Sequence, residues 1–260
     1  MSKRTLPNRS IIRLSGPDML ALLDRTVTHS VENWNTGEMR YGALLTPQGK
    51  IIADYLAMLS LDNIYIDVHS DAADDLERRL KLFRLRSDVV IEQLSDDVVA
   101  EGSWVDVRST QLPHRAISPK AEIGLDMPDD EWHAKRIAAG VPEWGADYRS
   151  STVFPTDVNM DVMGGIDYKK GCFVGQEVAS RMKRKGKIRK RTLPVSTRQK
   201  AFAYIFEGSG TFRDASKPFG VLTEKEANGE ELLIRDQTGN RSLVLFGSGD
   251  EITVQAGDEG

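Results

Sequence analysis

The most restrictive feature of this chain is the stretch "YGALLTPQGKIIADYLAMLSLDNIYIDVHS", residues 41–70. Three apolar runs are separated only by the turn signals "TPQGK" and "LDN". Connections this short join neighbouring antiparallel strands, whereas a parallel crossover needs a dozen residues or more. The stretch therefore predicts a three-stranded antiparallel meander. Ahead of it, "IIRLSG" reads as a strand and "PDMLALLDRTVTH" as a helix. Pro17 suits the first helical turn, and Met19, Leu20, Leu23 and Val27 form one apolar face. Behind it, "DAADDLERRLKLFRLRSD" is amphipathic through Ala72, Leu76, Leu80 and Phe83, and leads into a strand, "VVIEQLS". A strand, a helix, a meander and a second helix predict an α+β lobe, not a doubly wound sheet.

Further along, "VVAEGSWVDVR" reads as β, "DDEWHAKRIAAG" as a short helix stopped by Gly140, and "PEWGADYRSS" as loop. Past Arg191 short β-prone runs alternate with Gly, Asn and Asp, the pattern of a small β-barrel or sandwich. The expected organisation is a domain over residues 1–192, with lobes over roughly 1–95 and 96–192, followed by a β-barrel domain over 193–260. A chain of 260 residues can bury a substantial core in this way. Trp34, Trp104, Trp132 and Trp144 are expected in cores or at lobe interfaces.

Net charge is -4, so the molecule as a whole is not built to seek polyanions. The basic run from Arg181 to Arg191 is a local anomaly on an acidic body. One cysteine excludes an intramolecular disulfide and a cysteine-based zinc site, and cannot supply the four thiolates that usually hold an iron–sulfur cluster. The four histidines are scattered without ligand-like spacing, so no metal site is expected. The N-terminus "MSKRTLPNRS" lacks the apolar core of a secretory signal, and no run reaches the length of a membrane helix. These readings together predict a cytoplasmic protein with no membrane partner.

The single cysteine, Cys172, lies in "DYKKGCFVGQEVASRMKRKGKIRKR". Gly171 and Gly175 flank "CFV", and "GQEVASRMKRKG" reads as a helix, which places Cys172 in the loop entering it. Helix N-terminal amides, Lys169 and Lys170 would put positive charge beside the sulfur. The flanking glycines would allow a ligand to approach the backbone, or allow positive φ. Against this stands a plainer account: a free Cys is among the most buried residue types, and Glu177 in a first helical turn simply complements the dipole.

"KGCFVGQE", Lys170–Glu177, resembles the signature of the YgfZ/GcvT-like folate-binding proteins. "LSGPDMLALLDRTVTHSV", "ALLTPQGKIIADYLA", "LFRLRSDVVIEQLS", "RIAAGVPEWGADY", "FPTDVNMDVMGGIDYKKGC" and "GVLTEKEANGEELLIRD" are similar to other family segments. The resemblance implies two α+β lobes around a central folate channel with a C-terminal β-barrel. It implies tetrahydrofolate or a derivative as cofactor, and an accessory role for iron–sulfur proteins that indirectly supports tRNA modification. Cys172 and Lys170 become the expected catalytic residues, and Asp54, Arg136, Gly171, Gly175, Gln176 and Glu177 the expected cofactor-binding set. Iron–sulfur client or assembly proteins are the implied partners. The chain departs from the related aminomethyltransferases at Ala138, where they carry a Glu, and at His29, where the family has an Asp; Asp54 matches their catalytic aspartate. A folate-dependent aminomethyl- or methyltransferase is thus the second reading. A third is binding of tRNA or another anionic partner by Arg181–Arg191, although no aromatic is interleaved there for base stacking.

Overall fold

The computed structural model describes residues 3–184 and, beyond them, the strand residues between 202 and 256. The chain divides into two compact units, Met1–Gly186 and Lys187–Gly260. The boundary expected at residue 192 lies outside the described residues.

The first unit runs β1 (Arg4–Thr5), β2 (Arg9–Ser15), α1 (Met19–Thr26), β3 (Met39–Leu45), β4 (Ile51–Leu59), β5 (Asn63–His69), α2 (Ser70–Arg84), β6 (Val90–Leu94), β7 (Asp97–Trp104), β8 (Arg115–Pro119), β9 (Leu125–Asp126), α3 (Asp129–Ala138) and α4 (Gln176–Arg184). The predicted meander is present, with β3, β4 and β5 pairing antiparallel in sequence order. It extends into a five-stranded sheet of order β3-β4-β5-β2-β6, and a four-stranded sheet has the order β8-β7-β1-β9. In the second unit, Phe202–Ile205, Ser242–Leu245, Val221–Thr223 and Leu232–Leu233 form one antiparallel sheet. Gln237–Thr238, Gly210–Arg213 and Thr253–Ala256 form another. The closed barrel expected there lies outside the described residues.

α1 is shorter than its sequence predicts. Val27 leaves the helix with an extended backbone and bridges to Leu44, and the Thr28 amide donates to the Ala43 carbonyl at 3.0 Å. The apolar Val27 is therefore buried by sheet pairing and not by the helical stripe. β7 likewise ends at Trp104, before "VDVR".

Register decides what each face of the five-stranded sheet carries. Ile11 pairs with Asp67, Asp67 with Leu56, and Leu56 with Tyr41. Because side chains alternate along a strand, Arg9, Asp54, Asp67 and Tyr41 share one face. The opposite face carries Ile12, Leu14, Ile64, Ile66, Val68, Tyr55 and Ala57, all buried in one cluster with Leu22 and Leu23 of α1 and Leu76 and Leu80 of α2. Ile11, on the first face, instead joins a smaller core with Val99, Leu112, Met127, Trp132 and Val141.

Candidate functional site

Carboxylates are costly in an apolar sheet unless paired, and the first face shows how the cost is met. Asp67 accepts from Arg9 Nε at 2.5 Å and from Arg115 Nη1. Arg115 Nε donates to Asp106 Oδ2 at 3.0 Å, and Arg108 closes a two-pronged pair on Asp106 at 3.0 and 2.8 Å. Burial alone would push the Asp106 carboxyl up, but Arg108 and Arg115 reverse this and hold it far below the usual carboxylate range. Arg9 Nη1 reaches Glu143 Oε1 at 3.5 Å, Trp132 donates to Glu143 at 2.8 Å, and Arg136 lies 3.3 Å from the same carboxylate. Arg136 also grips Asp147 at 2.5 and 3.2 Å. Arg9, Arg108, Arg115 and Arg136 are thus matched by Asp67, Asp106, Glu143 and Asp147.

Asp54 is the carboxyl beside this ladder without a cation of its own. Its Oδ2 accepts the Tyr41 hydroxyl at 3.0 Å. Burial raises its pKa; Arg108 and Arg9 oppose the shift from a distance but are engaged elsewhere. The Tyr148 hydroxyl lies beside the same carboxyl, short of hydrogen-bond geometry and with no other partner. A buried acceptor beside two buried phenols could engage a polar group that both donates and accepts.

His29 lies on the other face, against Gly42 and between the rings of Trp34 and Tyr55, at 5.2 and 5.9 Å. Burial lowers its pKa to about 4, so it packs as a neutral imidazole. It does not take the polar role of an aspartate.

The Cys172 loop is built differently. Lys170 turns inward, its side chain only 2% exposed, and donates to the carbonyls of Val27 at 3.0 Å and His29 at 2.7 Å, just past the end of α1. Asp24 lies 3.4 Å from the same ammonium, so all three donors are engaged; burial lowers its pKa, with Asp24 opposing. Phe173 is buried beneath the Lys170 ammonium, 5.4 Å from ring centre to nitrogen. Gln176 Nε2 closes the loop onto the Lys170 carbonyl at 3.2 Å. Gly175 has φ +79°, and a Cβ there would fall 2.4 Å from the Thr46 carbonyl oxygen, so only glycine fits against the β3–β4 turn. With Lys170 and Phe173 anchored inward, Cys172 is left exposed.

Several expected site residues therefore have other occupations. Arg136 is enclosed in ion pairs on α3, and Gln176 holds the loop. Glu177 is 82% exposed and pairs with Arg181 at 2.6 Å. Gly171 has open space around it, so neither close packing nor positive φ demands glycine there. Lys170 positions the loop through α1, and its ammonium is engaged with carbonyls and Asp24. Ala138 is exposed at the end of α3. In the basic run Lys183 lies over the Tyr168 ring at 4.1 Å, and Lys185–Arg191 fall outside the described residues. Among the described residues no cluster of His, Cys, Asp or Glu could hold a metal, and no helix is long and apolar enough to cross a membrane. The ladder residues Arg9, Asp67, Asp106, Arg108, Arg115, Glu143 and Asp147, with Tyr41 and Tyr148, were not anticipated. The available signal was an acid inside an apolar strand: Asp67 in "IYIDVH", like Asp54 in "IIADYLAML".

The fold resembles that of glycine cleavage system aminomethyltransferase T from Bartonella henselae, with a TM-score of 0.60 at 12% identity over 98% of this chain and 84% of that one. No family model matches the chain. Its curated relatives are nonetheless consistent in name. The protein named iron-sulfur cluster assembly factor IBA57 homolog, mitochondrial, is 30% identical in Mycosarcoma maydis over 226 residues, 74% of this chain and 56% of the relative. Its Neurospora crassa counterpart is 29% identical over 229 residues, 73% of this chain and 52% of the relative. The Dictyostelium discoideum counterpart is 22% identical over 249 residues, 73% of this chain and 61% of the relative. The chain spans a little over half the length of the curated relatives it matches. Similarity to iron–sulfur cluster assembly factors and an aminomethyltransferase-like fold are thus established. The cytoplasmic expectation is overturned, because these relatives are named as mitochondrial. A lone unpaired thiol requires only a reducing compartment and cannot choose between two of them.

Proposed function

We propose that this chain is an accessory factor in the assembly or maintenance of iron–sulfur proteins, with Cys172 as its working group. The observation that carries the reading is the exposed thiol on an anchored loop, in a chain similar to proteins named as iron–sulfur cluster assembly factors. One thiol cannot hold a cluster, but it can supply one thiolate ligand to a cluster whose remaining ligands come from a client or assembly protein. Support for tRNA modification follows indirectly, through cluster-dependent enzymes.

Tetrahydrofolate or a derivative is the ligand that best suits the Asp54 region. Asp54 and Tyr148 would hold the polar edge of its pterin, with Tyr41 orienting the carboxyl. When bound, a reduced folate supplies one-carbon carrier chemistry, while the residues of this chain bind and orient it. The transferase reading is weakened by the exposed Ala138, which leaves Asp54 without a second acid from α3.

The test is titration of reduced folates against wild type, Cys172→Ser and Asp54→Asn, with complementation in cells lacking their own copy of the protein. Cys172→Ser should bind folate normally and fail to complement. Asp54→Asn should weaken folate binding at least ten-fold. Full complementation by Cys172→Ser would sink the thiol's role, and robust methylene-tetrahydrofolate formation from an aminomethyl donor would favour the transferase.

A further inference from the structure

The C-terminal end of α2 breaks the rules that govern the rest of the helix. Its buried stripe is Ala72, Ala73, Leu76 and Leu80, yet Leu82 is 63% exposed and Leu85, just past the last turn, is 81% exposed. Leu85 also has φ +51° and ψ -112°, and the Ser87 amide donates to the Arg84 carbonyl at 2.9 Å around it. These angles lie close to the first central position of a type II′ turn, which glycine normally fills. A branched apolar side chain is therefore held in strained backbone and in water at once, two costs with no return inside this unit.

The surroundings indicate what the shoulder would meet. Arg84 and Arg86 flank Leu85 in sequence. Arg84 donates only to the Val89 carbonyl, at 3.2 Å, while Arg86 makes no ion pair or hydrogen bond among the described residues. Beside them lies an open cavity of about 530 Å³ lined by Asp18, Arg25, Leu85, Arg86 and Ser87. Arg25 crosses it from α1 to Ser87 Oγ at 2.7 Å, and the Asp18 carboxylate accepts the Asp88 amide at 2.8 Å. Asp18 and Asp88 offset part of the positive charge, and the unpartnered group is the Arg86 guanidinium.

We infer that the α2 shoulder, Leu82, Leu85 and Arg86, is a docking surface for a partner protein that offers an apolar pocket with an acidic rim. Leu82, on the last turn of α2, and Leu85, held out by the turn that follows, enter the pocket, and Arg86 pairs with a carboxylate at the rim. Exposed leucines beside an unpartnered arginine fit the pattern of a buried anchor with a polar margin. The inference rests on the assembly-factor reading for its cellular readout alone.

The test uses the full chain. Leu82→Ser/Leu85→Gly removes both leucines and relieves the turn, so its thermal midpoint should equal or exceed that of wild type. It should nonetheless fail to complement, with alkylation of Cys172 by iodoacetamide unchanged. Arg86→Glu should fail likewise, and Arg86→Lys should retain most function. A photo-crosslinking residue at position 85 should capture a protein whose purified form binds wild type in a salt-sensitive manner and the double variant at least ten-fold more weakly. Full complementation by the double variant, equal binding by both forms, or crosslinks confined to this chain or a second copy would overturn the inference. If Cys172→Ser fails to complement while the double variant succeeds, docking falls and the thiol's role stands; the reverse result separates them the other way.

Discussion

The Asp54 face and the Cys172 loop belong to the same compact unit and solve opposite problems. On the Asp54 face, charge lies inside the fold, and nearly every ionised group has a partner of opposite sign. At the Cys172 loop, two anchors, Lys170 and Phe173, are turned inward while the thiol remains in water. The first arrangement favours rigidity and a chosen binding orientation; the second favours access by another protein. Under the proposed function, the first would hold a small molecule and the second would present a thiol.

The largest effect should come from breaking the ladder. Arg115→Met leaves Asp67 and Asp106 buried without their shared cation, and should lower the unfolding free energy by about 3–5 kcal/mol in urea titrations. A loss near zero would mean that the face is less enclosed than described.

The neutral imidazole on the opposite face gives a pH test. His29 titrates near 4 when folded and near 6.5 when unfolded, so the unfolded chain binds the extra proton between those values. Its contribution is present above about pH 6.5 and is lost as pH falls toward 4. Between pH 7 and 4 the wild type should lose on the order of 3 kcal/mol more than His29→Leu, measured by denaturant midpoints. Parallel pH profiles would contradict this.

At the loop, Gly175→Ala meets both a positive φ and the Thr46 carbonyl, and should cost roughly 1–3 kcal/mol. It should also change the alkylation rate of Cys172, since the loop must shift. The smallest effect belongs to Glu177→Ala. Its exposed pair with Arg181 should contribute no more than about 0.5 kcal/mol, with the thiol's alkylation rate unchanged. A large effect at Glu177 would point to a ligand there after all.

Much of the fold was legible because local rules sufficed. The meander followed from two short turns between apolar runs, and α2 from its 3.6-residue stripe. The end of α1 was misjudged because Val27 continues the helical stripe, and only pairing with Leu44 pulls it into extended backbone. Cys172 and Gly175 stood out through their motif, and the structure leaves the first exposed and the second at positive φ against Thr46. Gln176, Glu177, Arg136 and Lys170 carried the same motif-level or chemical promise, yet three of them hold the fold together and the other sits in solvent.

The sequence by itself determined the order of strands and helices, the single thiol and its glycine-flanked loop. It also set acids into apolar strands at Asp54 and Asp67. Tertiary structure decided which of those groups are engaged and which are free. Arg115 meets Asp67 across 48 residues, and Lys170 meets the end of α1 across more than 140. Pairing at such separations depends on how the sheet face and the loop pack in space, and no local periodicity encodes it.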